Sequence, residues 1–184
     1  MNATSTERER LRDILRARSL RTGEFTLSSG KKSSYYLDCR LTTMHPEGAL
    51  LIARLILRKI RESNIKADAI GGLTLGADPI VAAVAVVSAI EGTPLNAFIV
   101  RKEPKAHGMQ RFIEGFDAPA GARVVIVDDV CTTGDSILRA AERSEHAGYE
   151  VLATFCVVDR EEGGSEAIRK KYPLHALFTA RELL

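Results

Sequence analysis

Residues 124–136 read Val-Val-Ile-Val-Asp-Asp-Val-Cys-Thr-Thr-Gly-Asp-Ser, an apolar strand that runs into two adjacent carboxylates and then a turn of small residues. Two neighbouring negative charges are expensive to bury or half-bury unless something binds them. At a strand end facing a cleft, Asp128 and Asp129 suit sugar hydroxyls or a metal ion carried by a ligand. Beyond Val130 and Cys131, the residues Thr132, Thr133 and Gly134 bring hydroxyls and free backbone N–H groups to the start of a helix at Asp135 and Ser136. A helix N-terminus with unpaired N–H groups binds a phosphate dianion well. The spacing is neither the GxxxxGK(S/T) of a P-loop nor the GxGxxG of a dinucleotide fold. The plain structural alternative is a strand, a polar turn and Asp135 as a helix cap.

A second group is basic. Arg101, Lys102, Lys105 and His107 fall within seven residues of the segment RKEPKAHG, which Gly108 closes. Such a loop repels itself unless it meets an anion, and donors aimed at charge developing in a transition state lower a barrier. Its alternative is a solvated run of charge. The segment GGLTLGADP, residues 71–79, places Leu73 and Thr74 behind two glycines that let backbone approach an anion, with Pro79 fit for the first turn of a helix. That segment is also readable as a plain strand-to-helix connection. Arg160 follows Asp159 at the end of another apolar run, where a cation can cap the strand end.

The elements that must hold these groups are legible from periodicity. Thr4 and Glu7 fit a capping box before Leu11, Ile14 and Leu15 at helical spacing. Two short extended segments, around 24–27 and 35–39, are joined by turn residues 28–32. A helix from Pro46 leads to a strand at 67–71, an Ala/Val helix from Pro79 and a strand at 95–100. A strand at 123–127 leads to a helix near Asp135, and a strand at 151–158 with a last helix near 165–171 completes the series. Continuous apolar strands alternating with helices predict an α/β fold with a mainly parallel sheet covered on both faces. Ligands in such folds bind at the carboxyl ends of the strands.

The central string resembles the signature by which type I phosphoribosyltransferases bind phosphoribosyl pyrophosphate (PRPP). The resemblance implies that fold, with a small N-terminal hood at about residues 1–45, a core at about 46–184 and one domain throughout. It implies that Asp128 and Asp129 face the ribose hydroxyls and that residues 130–136 wrap the 5′-phosphate. RKEPKAHG and the stretch from Gly23 to Arg40 resemble the orotate phosphoribosyltransferases in particular. That likeness implies a catalytic loop of Arg101, Lys102, Lys105 and His107 that closes over pyrophosphate and reaches into a neighbouring subunit, hence a homodimer. Lys105 is then the main electrostatic contributor, and His107 either protonates the leaving group or binds phosphate. Residues 71–79 become the pyrophosphate loop through Leu73 and Thr74, and Tyr36, Leu37, Thr132 and Arg160 hold orotate. Mg²⁺ arrives on PRPP rather than in a protein cage. The chain departs from better-known members at Ser28, where they carry lysine, and at Leu75–Gly76, where they carry Tyr-Lys.

Composition narrows the rivals. With 45% hydrophobic and 27% charged residues over 184 positions, the chain is that of an ordinary globular protein, its core built from Val, Ile, Leu and Ala because Trp is absent and aromatics are 5%. A net charge of +2 gives no bulk attraction for nucleic acid, which weighs against a PRPP-sensing regulator on the same fold. Three widely spaced cysteines without a CxxC pair predict reduced thiols in a cytoplasmic protein. The charged N-terminus is no signal peptide, and the apolar run 79–90 is too short to span a bilayer. A purine or other pyrimidine phosphoribosyltransferase would share the central string but not the basic loop or the hood.

Overall fold

The computed structural model describes residues 3–26, 32–103 and 112–184. The chain opens with α1 (Ala3–Arg18), then β1 (Leu20–Thr26), β2 (Lys32–Leu37), α2 (Arg40–Thr43), α3 (Pro46–Glu62), β3 (Ala69–Leu73), α4 (Asp78–Ile90) and β4 (Asn96–Val100). After β5 (Ile113–Glu114) come β6 (Arg123–Cys131), α5 (Asp135–His146), β7 (Glu150–Asp159), α6 (Gly164–Arg169), β8 (Leu174–Thr179) and α7 (Ala180–Leu183). β1 and β2 form an antiparallel pair of their own, and the other six strands form one sheet in the order β5-β4-β3-β6-β7-β8. Every pairing in that sheet is parallel except β4 with the edge strand β5.

The strand order decides where a ligand can bind. From β3 the chain crosses outward to β4, then returns to the other side of β3 as β6 and continues outward through β7 and β8. The connections leaving β3 and β6 therefore diverge, and a crevice opens at their carboxyl ends. Side chains alternate across β6: Val125 and Val127 join the core under α1, α3 and α4, whereas Val124 and Ile126 join the core under α5 and α6. Both faces are thus apolar, which is why the strand reads as an unbroken hydrophobic run.

The structure corrects several boundaries. β6 runs on through Asp128 and Asp129 to Cys131, so the carboxylates lie in the strand itself and stay paired with β7. β1 begins at Leu20 rather than 24, and β2 ends at Leu37 because Asp38 accepts from the Arg40 N–H at 3.1 Å and turns the chain into α2. The series does not end at α6: β8 extends the sheet beyond β7, with an irregular burial pattern that breaks the alternation expected of a strand. Thr4 lies inside α1, which starts at Ala3, and Glu7 pairs instead with Arg58 and, at 3.2 Å, with Arg54 of α3. The turn at residues 28–31, with Ser28, lies outside the described residues.

Close approach of β3 to β6 depends on glycine. A Cβ on Gly72 would stand 2.1 Å from the Val127 carbonyl oxygen, a backbone atom that moves only with its strand. Gly72→Ala should therefore destabilise the fold by about 1–3 kcal/mol or more, in the range of overpacked cores. Thermal unfolding checks this, and an unchanged midpoint would contradict the β3–β6 packing.

Candidate active site

Asp128 and Asp129 mark the carboxyl end of β6. Asp128 is 6% exposed, and one of its carboxylate oxygens accepts from the Asp129 N–H at 2.9 Å. Asp129 in turn accepts from the Val130 N–H at 2.8 Å. These two bonds do not offset the loss of water. Burial and the neighbouring Asp129 charge push the Asp128 carboxyl well above the usual carboxylate range. Burial raises Asp129 as well, against the pull of local N–H groups and of Arg40. The loop after β3 closes over the pair: a Cβ on Gly76 would lie 2.3 Å from an Asp128 oxygen and 2.8 Å from one of Asp129. Only glycine leaves that space open.

Immediately beyond, Thr132, Thr133, Gly134, Asp135 and Ser136 curl around a hollow of about 100 Å³ lined also by Asp128, Val130 and Cys131. Gly134 adopts φ +85° at the head of α5, a left-handed conformation that turns the chain into the helix. The first N–H groups of α5 have no acceptor within the helix and face a small anion's place. The curl is braced from behind by α6, where the Gly164 N–H donates to the Thr132 carbonyl at 3.1 Å, and by the Arg160 N–H, which donates to the Cys131 carbonyl at 2.9 Å. Cys131 itself is buried in the core beneath the loop, and all three cysteines are free thiols.

A wider cavity of about 330 Å³ adjoins the carboxylates. Tyr36, Leu37, Asp38 and Arg40 of the hood side line it, as do Leu75, Gly76, Lys102, Asp129, Val130, Thr132 and Arg160. The expected base-contacting residues Tyr36, Leu37, Thr132 and Arg160 thus share one space with Lys102 and Asp129. Arg160 is its most unusual member. Its side chain is 9% exposed and its guanidinium lies 4.9 Å from the centre of the Tyr35 ring. Glu162 forms an ion pair with Nη2 at 2.9 Å, and Nε is buried without a hydrogen-bond acceptor among the described residues. A buried donor left unmade costs about 1–3 kcal/mol, so Nε favours an acceptor entering here.

Not every expected residue lines these cavities. Leu73 is buried in the core, and the Thr74 N–H is spent on the Val100 carbonyl at 2.9 Å, while Leu75 and Gly76 face the space. Arg101 lies 3.6 Å from Glu114 at the base of the basic segment, and Lys105 and His107 lie outside the described residues. Arg40 is a cavity residue that the sequence pattern does not single out. It lines the cavity, is clamped by Asp38 through contacts of 2.9 and 3.1 Å, and draws on the Asp129 charge. The Asp-x-Arg spacing just after the aromatic pair of β2 is its one available signal.

A phosphate-sized hollow at a helix N-terminus, an acidic pair beside it and Lys102 at a strand-switch crevice suit an enzyme that handles phosphorylated sugars. The description "Phosphoribosyl transferase domain" matches residues 43–175, and the chain belongs to that family. The orotate phosphoribosyltransferase of Aquifex aeolicus is 50% identical over 182 residues, spanning 97% of this chain and 98% of its own. That of Nostoc is 46% identical over 180 residues, spanning 97% of this chain and 86% of its own. The crystal structure of Mycobacterium tuberculosis orotate phosphoribosyltransferase in complex with PRPP superposes with a TM-score of 0.80 at 35% identity, over 96% of this chain and 98% of that one. Within the family, the chain is an orotate phosphoribosyltransferase: it joins orotate to the phosphoribosyl group of PRPP, giving orotidine 5′-monophosphate and pyrophosphate in pyrimidine synthesis.

The acidic pair makes the substrate-free fold sensitive to pH. Because the folded Asp128 pKa lies above its unfolded value, the folded state holds an extra proton between the two values. The stability it contributes is complete below the ordinary aspartate range and is lost as pH rises through the raised pKa. Asp128→Asn removes that loss. The variant should unfold at a higher temperature than the wild type at pH 8, with the gap narrowing towards pH 4, while its turnover falls. A wild-type midpoint at every pH would contradict the burial cost.

Proposed function

We propose the following division of labour. Asp128 and Asp129 bind the ribose hydroxyls, and residues 130–136 bind the 5′-phosphate through the N–H groups opening α5 and the threonine and serine hydroxyls. Arg160, Tyr36, Leu37 and Thr132 hold orotate, with the guanidinium of Arg160 on its carboxylate. Arg101, Lys102, Lys105 and His107 meet the pyrophosphate, aided by the backbone of the loop holding Leu73 and Thr74. The observation that carries this reading is the buried Arg160 guanidinium, paired with Glu162 but with its Nε unpartnered, which shares a cavity with Asp129, Thr132 and Lys102.

The bond between the ribose C1 and pyrophosphate breaks as a ring nitrogen of orotate attacks from the other face, through an oxocarbenium-like transition state. Positive charge grows on the sugar and negative charge on the leaving group. The Asp128–Asp129 pair lies beside the growing positive charge and stabilises it. The cations of the basic segment stabilise the growing negative charge, with Lys105 the largest contributor. His107 either donates a proton to the leaving oxygen or binds it as a plain donor. Exclusion of water by the hood and basic segment keeps PRPP from hydrolysis. The donors beside the ribose are carboxylate and hydroxyl oxygens, the hard ligands that suit Mg²⁺. Mg²⁺ carried in on PRPP would neutralise pyrophosphate charge and leave the protein to orient the sugar.

Three further features belong to this reading. Arg40, beside Leu75 and Gly76, supplies a cation at the position where better-known members carry Tyr-Lys. A homodimer is supported by Val86 and Ile90, 60% and 79% exposed and one turn apart on α4, an apolar face suited to a second copy. Free, buried thiols support a cytoplasmic location.

Arg160→Ala should raise the KM for orotate and lower kcat/KM by about 30-fold or more, the equivalent of losing roughly 2–5 kcal/mol from a buried charge pair, with the KM for PRPP little changed. Steady-state kinetics with each substrate varied would show it. A wild-type orotate KM would sink the assignment of the base site. Lys105→Ala should cut turnover by about 100-fold or more through lost transition-state stabilisation, with an unchanged unfolding midpoint. A normal turnover number there would sink the assignment of the loop.

A further inference from the structure

We propose that Arg143, a residue outside both cavities of the active site, is a positioning residue for the cations that meet pyrophosphate. Arg143 lies in the last third of α5, the helix whose first turn forms the phosphate site. Its Nη1 donates to the Arg101 carbonyl, its Nη2 donates to the Lys102 carbonyl at 3.0 Å, and its guanidinium lies 4.1 Å from the centre of the Phe112 ring. The Arg101 N–H donates to the Phe112 carbonyl at 2.8 Å. One side chain therefore grips the segment where it leaves β4 and where it returns towards β5.

These contacts have a physical purpose. β4 ends at Val100, so the carbonyls of Arg101 and Lys102 have lost the sheet ladder and need another donor. The planar fork of a guanidinium supplies two donors at fixed spacing and a flat face for the ring, which a lysine ammonium does not. With its backbone held, Lys102 lines the cavity beside Asp129 and Arg160. Arg143 instead borders a separate surface cavity of about 370 Å³ with Phe112, Phe116, His146 and Tyr149. It lines neither cavity of the substrate site and acts through the backbone of Lys102 and Arg101. Because the same helix begins at the phosphate hollow and ends at this clamp, the two halves of PRPP are registered against one rigid rod.

This inference rests on the reading of Arg101 and Lys102 as pyrophosphate ligands, and the experiment separates the two. Steady-state kinetics and thermal unfolding would be measured for Arg143→Ala, Arg143→Lys, Lys102→Ala and the double variant Arg143→Ala with Lys102→Ala. Misplacing a catalytic group by about 1 Å costs on the order of 100-fold, so Arg143→Ala should lower kcat by about 10- to 100-fold with the orotate KM unchanged. Arg143→Lys keeps the charge but should recover little of the rate. Free guanidinium, entering through the neighbouring surface cavity, should restore part of the activity of Arg143→Ala and none of that of Lys102→Ala. The double variant should be slower than Lys102→Ala by less than the full Arg143→Ala loss, because part of that loss runs through Lys102 and only the part through Arg101 remains. Wild-type turnover in Arg143→Ala alongside a crippled Lys102→Ala would overturn the inference, as would strictly additive losses. Wild-type turnover in Lys102→Ala would overturn the underlying reading of the basic segment. Should Arg143→Ala fail to fold, Arg143→Lys and Arg143→Gln carry the same comparison, and full activity in both overturns the proposal.

Discussion

Holding two consecutive carboxylates out of water, at the end of a strand buried on both faces, is the constraint around which this molecule is arranged. Asp128 and Asp129 have little more than neighbouring backbone N–H groups and the charges of Arg40 and Lys102 to offset their burial. In the proposed reading the missing partners arrive with the substrate: sugar hydroxyls would donate to the carboxylates, and the charge that is unfavourable in the substrate-free site would become favourable beside an electron-deficient ribose.

The sheet topology follows from the same need. Because the chain departs in opposite directions from β3 and β6, their carboxyl ends are left uncovered, and the glycine-rich loop of one strand lies directly against the carboxylates of the other. Gly72 lets the two backbones approach, and Gly76 leaves room over the acidic pair. α5 then carries the phosphate-sized hollow at its first turn, and Tyr36, Leu37 and Arg40 line the adjoining cavity. The cations of the cavity are held by neighbouring carboxylates: Asp38 grips Arg40, and Arg160 rests against Tyr35 while pairing with Glu162.

Most of this is legible in the residues. The α/β fold follows from apolar runs alternating with helical periods, and the central string carries its chemistry in contiguous sequence, so Asp128 to Ser136 can be placed at a strand end and a helix start from their order alone. Arg160 is legible too, because the end of a strand is a fixed place in such a fold. What escapes a linear reading depends on contacts between segments far apart in the chain. Arg40 matters through its position opposite Asp129, which no local pattern reveals. β8 lacks clean alternation, since only Leu174 and Phe178 of its six residues are buried, and its place comes from pairing with β7. β5 is two residues long and exists only because β4 offers an edge. Arg143, an ordinary cation in an amphipathic helix by sequence, gains its meaning from carbonyls about forty positions away.

The central claim is that the acidic pair is strained without substrate and relieved by PRPP, and proton exchange measures it most directly. Calorimetric titration of Mg²⁺–PRPP into the wild type and into Asp128→Asn, repeated in buffers of different ionisation enthalpy at a pH where PRPP is fully ionised, counts the protons exchanged on binding. The account predicts that the wild type releases protons the variant does not, because hydroxyl donors favour the ionised pair over the protonated one. Equal proton exchange in the two proteins would contradict it, since the carboxylates would then be as ionised in the free protein as in the complex.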